Sequence, residues 1–98
     1  MAYLNESERD ELLNELIQKT FKQAQRTVFR VDPQARLKLY RNVQRVNEWV
    51  TRYELPNRGA IITLIEEREN EETDPNVRVK VKYEMVRVEI APTPDNRT

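Results

Sequence analysis

The chain has 98 residues, too few for two independent cores, with 17 basic and 17 acidic side chains and neither histidine nor cysteine. Those absences exclude disulfides, thiolate nucleophiles, cysteine-based metal centres and the commonest general acid/base. A lone serine, Ser7, and a lone glycine, Gly59, likewise exclude a histidine-activated serine triad and a phosphate-cradling loop.

Asn5 or Ser7 can cap a first helix, and Glu8, Asp10 and Glu11 suit its positive end. From there Leu12, Leu13, Leu16, Ile17, Thr20, Phe21, Ala24 and Val28 recur at steps of three and four. With no glycine or proline between them, residues 7–30 read as one continuous helix. Asp32-Pro33 then punctuates the chain, with Asp32 as cap and Pro33 as the first position of a second helix. That helix is expected to run from Pro33 to about Tyr53 or Glu54, because Leu39, Val43, Val46, Val50 and Tyr53 step by four and three like a packing seam. The short connection makes the two helices an antiparallel hairpin.

Leu55-Pro56-Asn57-Arg58-Gly59 is a turn by composition, and the β-branched run Ala60–Ile65 reads as a strand. After an acidic stretch, Val77, Val79, Val81 and Tyr83 alternate with charged residues, and Met85 keeps that phase. Val86, Val88 and Ile90 fall on the other parity, so one extra residue near Glu84–Val86, a β-bulge, is expected. The reading is a single α+β domain over residues 1–90, of order α-α-β-β, with a flexible tail over 91–98. An isolated hairpin is marginal in water, and both faces of this one carry aliphatic side chains. Its sheet is therefore expected to be completed by dimerisation, with Ile62, Leu64, Val86, Val88 and Ile90 as the self-association residues.

Net neutrality hides segregation: residues 1–18 sum to −4, 19–58 to +7, 59–76 to −5 and 77–98 to +2. On a wheel of the second helix, Lys38, Arg41, Arg45 and Arg52 fall within a stripe roughly 60° wide, with Trp49 beside it. Arginine near an aromatic suits phosphate or carboxylate groups, whose geometry its planar fork matches. A charged face is also what solvation of an amphipathic helix requires. The acidic run Glu66–Asp74 lacks the mid-loop glycine and spacing of a calcium loop and reads as a solvated turn.

The expected function is a non-enzymatic protein–protein interaction module: a homo-oligomeric adaptor, assembly factor or regulatory subunit. It would present Lys38, Arg41, Arg45, Trp49 and Arg52, or a strand edge, to an acidic protein partner, without cofactor or metal. The alternative is a nucleic-acid-binding regulator that lays the basic helix face on phosphate, although such proteins are usually net basic. No stretch approaches the roughly 18–20 apolar residues of a membrane helix, and the acidic start is unlike a signal peptide, so a cytoplasmic protein with no membrane partner is expected.

Overall fold

A computed structural model describes residues 3–43, 47–70 and 81–94. Two helices, α1 (Glu6–Leu16) and α2 (Phe21–Val31), precede four strands, β1 (Arg36–Val43), β2 (Glu48–Leu55), β3 (Ala60–Asn70) and β4 (Val81–Pro92). The strands form one antiparallel sheet in the order β1-β2-β3-β4. The class is α+β, and the order is α-α-β-β-β-β rather than α-α-β-β.

The expected single helix over 7–30 is two helices. Asn5 caps α1 in a reciprocal box with Glu8, and Thr20 caps α2 in a second box with Gln23. Between them Lys19 N–H donates to the Leu16 carbonyl three residues back, tightening the last turn. No glycine or proline is needed for the break: Thr20 offers the backbone a competing hydrogen bond. The apolar stripe survives it, with Leu12, Leu16, Ala24 and Val28 all buried.

The expected second helix over 33–54 is replaced by the β1–β2 hairpin, and with it the antiparallel helical hairpin disappears. Residues 49–55 are β-branched or aromatic at four of seven positions, Trp49, Val50, Thr51 and Tyr53. Thr51, Tyr53 and Leu55 are buried on one face while Arg52 is exposed on the other, a period of two. The four-and-three spacing was a coincidence of two strands, hidden because Thr51 counts as polar in a helical pattern. Asn47, before β2, sits at φ 52°, a conformation asparagine tolerates better than most residues.

α1 and α2 lie on one face of the sheet, where Leu4, Leu12, Leu16, Ala24 and Val28 meet Tyr53, Leu55, Ala60, Ile62, Leu64 and Val88. We call this the covered face and its opposite the open face. The expected bulge is present: Ile65 pairs with Arg87 and Glu66 with Met85, leaving Val86 as the extra residue. β4 continues through Pro92, opposite Ala60, so the chain is still paired at the first residues assigned to a tail; residues 95–98 lie outside those described. The early part of the expected last strand, residues 77–80, also lies outside them. The molecule is elongated, with Cα extents of 55 × 28 × 20 Å and a radius of gyration of 15.7 Å.

Candidate functional site

Ile62 and Leu64 are fully buried and Val88 nearly so, all beneath the chain's own helices, and Ile90 packs against the same cluster. Four of the five residues assigned to self-association, Ile62, Leu64, Val88 and Ile90, therefore pack in the chain's own core. The side chain of Val86 lies outside the described residues. β1 and β2 widen the sheet and the helices cover Ile62, Leu64, Val88 and Ile90, so these four residues do not by themselves call for a second copy.

The basic stripe is also rearranged, since a wheel does not describe a strand. Arg41 pairs with Val50 and Arg52 with Leu39, which puts both arginines on the open face. Lys38 is the extra residue of a bulge in β1 and lies 3.8 Å from Glu54. Arg52 donates from Nε to Thr63 Oγ1 at 3.2 Å. Trp49, paired with Asn42 and Glu66, is on the covered face instead, with its ring 5.6 Å from that of Tyr40. Arg45 lies outside the described residues. The structure thus brings Lys38, Arg41 and Arg52 to one face of the sheet and separates them from Trp49. Glu66, read as part of a solvated turn, is buried on the covered face.

A different surface gathers exposed apolar and basic groups. The outward side of α2 carries Lys22, Arg26 and Arg30 at four-residue steps, all exposed, around Phe29, which is 43% exposed. Together with Gln25 these residues line a shallow groove. Phe29 meets the Tyr53 ring edge-on at 5.6 Å, and Gln25 Nε2 donates to the Tyr53 hydroxyl at 2.8 Å, so α2 is fixed over β2. Tyr53 is in turn the cross-strand neighbour of Leu37 on β1. Leu37 and Tyr40 share the covered side of the sheet, by their pairing with Tyr53 and Thr51, yet are 56% and 52% exposed. The helices stop short of this strand. α2 thus stands over Tyr53, with Leu37 and Tyr40 exposed on the same face of the neighbouring edge strand; we call this region the ledge and the open edge of β1 its rim.

Every charged residue of the rim is cationic. β1 carries Arg36, Lys38 and Arg41 and no acidic residue. Of the cations around the ledge, Arg30 is paired with Glu15 at 2.9 Å and Lys38 weakly with Glu54. Sequence reasoning missed Lys22, Arg26, Phe29, Arg30, Leu37 and Tyr40. The signal for Lys22, Arg26 and Arg30 lay in the +7 charge of residues 19–58, of which residues 33–54, read as the second helix, hold only +3.

A second polar cluster is structural. Asp32 is buried and accepts hydrogen bonds from Gln34 N–H and from both the N–H and Nδ2 of Asn57, in the β2–β3 turn. Burial alone would raise its pKa. The Asn57 amide, the backbone N–H groups of Gln34 and Asn57 and the Arg58 charge outweigh that and hold it below the ordinary aspartate value. Among the described residues, no group of three or more acidic side chains is placed to hold a metal ion. Nor is any of their helices long and apolar enough to cross a membrane.

Comparison with protein-family models, with curated proteins and with solved structures gives no significant match for this chain.

Proposed function

We propose that this protein is a non-enzymatic interaction module that docks an acidic protein partner on the ledge between α2 and β1. The observation that carries this reading is three exposed large apolar side chains, Phe29, Leu37 and Tyr40, with Lys22 and Arg26 beside them on α2 and Arg36 and Arg41 on the opposite face of the same edge strand, β1. Single exposed apolar residues are ordinary, but a cluster rimmed by one sign of charge is the pattern of a binding surface. Apolar contact supplies affinity, and the cations select an acidic partner and speed its encounter. The site works from a single chain and needs no second copy to complete it.

The test is a titration of a fluorescein-labelled octapeptide of alternating glutamate and valine, followed by fluorescence anisotropy. Saturable binding is expected, weakening as salt rises from about 0.02 to 0.15 M, because exposed charges are screened over about 8 Å at the higher value. Arg26→Glu with Arg41→Glu is expected to weaken it at least about tenfold, roughly 1.4 kcal/mol. An octapeptide of alternating lysine and valine is expected not to bind. Failure of the acidic peptide to bind overturns the reading. So does a single-stranded oligonucleotide that displaces the peptide at lower concentration, which would favour a nucleic-acid ligand.

A further inference from the structure

We propose that the ledge takes up its acidic partner as an extended segment, which adds to the edge of β1 as a fifth strand; this inference rests on the docking reading above. β1 ends the sheet, so the side of its backbone turned away from β2 has no strand partner among the described residues. An open edge is a template for another extended chain, whose backbone supplies the hydrogen bonds and whose alternate side chains supply specificity.

The two sides of β1 ask for different chemistry. On the covered side stand Leu37 and Tyr40, both exposed, with Phe29 beyond Tyr53. On the open side stand Arg36 and Arg41, paired respectively with Glu54 and Val50, and Lys38 is drawn to that side by Glu54. Side chains of an added strand alternate between the same two sides. The segment that fits therefore alternates apolar residues, over Leu37 and Tyr40, with acidic residues, against Arg36 and Arg41.

The same charges argue against a second copy as the occupant. Twofold pairing of β1 with itself would set a strand bearing three cations and no acid against an identical one, and like charges across strands destabilise pairing. Pairing β1 with β4 of another copy gains little attraction, because Lys82, Glu84, Arg87 and Glu89 leave β4 with no net charge. The Lys38 bulge and the cations guard the edge against copies of this chain and leave it receptive to an acidic strand.

The experiment compares the glutamate–valine octapeptide with a version N-methylated at every second residue, which keeps the side chains and removes the donors on one edge. Binding of the first with at least about tenfold loss in the second supports strand addition. Leu37→Ser with Tyr40→Ser, both at exposed sites, is expected to weaken the unmodified peptide about five- to tenfold with the melting temperature little changed. Equal binding of both peptides overturns strand addition while leaving the docking reading standing. Binding of neither overturns the docking reading and the inference with it.

Discussion

The Asp32 carboxylate accepts two hydrogen bonds from Asn57, from the backbone N–H at 2.9 Å and from Nδ2 at 2.8 Å, across 25 positions of sequence. Both residues sit in turns, one closing α2 and the other joining β2 to β3. The pair ties the helical layer to the sheet. Asn57→Ala is expected to destabilise the protein by about 1–3 kcal/mol, since it leaves a buried carboxylate short of donors. Urea unfolding midpoints of the two proteins measure this.

The same pair sets an acid limit. The Asp32 pKa is depressed in the folded state, so its contribution is complete above the unfolded value of about 3.9 and is lost as pH falls below it. Midpoints measured from pH 6 to pH 2 are expected to fall more steeply below about pH 4 in the wild type than in Asn57→Ala. Parallel curves would contradict this role.

Gly59 has φ +58°, and a Cβ placed there would lie 2.6 Å from the Tyr3 ring. Gly59→Ala is expected to cost about 1–2 kcal/mol from the left-handed backbone alone. Adding Tyr3→Ala to that variant relieves the steric part only, so the double variant should remain less stable than Tyr3→Ala alone. Thermal melts of the four proteins separate the two contributions.

Thr51 is buried between Tyr40 and Leu64 in the sheet, and its hydroxyl has no hydrogen-bond partner among the described residues. Thr51→Val removes an unsatisfied polar group at nearly constant shape. A gain of about 0.5–1.5 kcal/mol is expected. At roughly 4–8 °C per kcal/mol for a domain of this size, calorimetry resolves the rise.

Leu64 is fully buried beneath the helices, so Leu64→Ala is expected to lose about 2–5 kcal/mol. The loss should not depend on protein concentration, because the contacts removed are within one chain. A wild-type unfolding midpoint that rises with concentration would instead restore this face to an interface.

What was legible in the chain was whatever a local pattern states without rivals. The turn at Pro56–Gly59 and the β-branched strand from Ala60 follow from composition, and the change of parity that marks the Val86 bulge follows from period two. Residues 36–55 carried two periods at once. Leu39, Val43, Val50 and Tyr53 satisfied a helical seam, while Thr51, Tyr53 and Leu55 satisfied a strand, and Thr51 decided the matter only through a burial invisible in sequence. The site inherited that error. Arg41 and Arg52 do share a face, but their neighbours are Val50 and Thr63 rather than Trp49. Lys22, Arg26 and Arg30 were visible as a helical row, yet their significance depends on Leu37 and Tyr40, which tertiary pairing alone brings alongside.

The elongated outline bears on how the particle is weighed. A 98-residue chain folded to ordinary compactness has a radius of gyration of about 12–13 Å, against 15.7 Å here. Such a rod drags more solvent than a sphere of equal mass and leaves a gel-filtration column early, at the position of a heavier globule. Elution volume would therefore counterfeit a pair of subunits, whereas scattered-light intensity, which reads mass without reference to outline, would not.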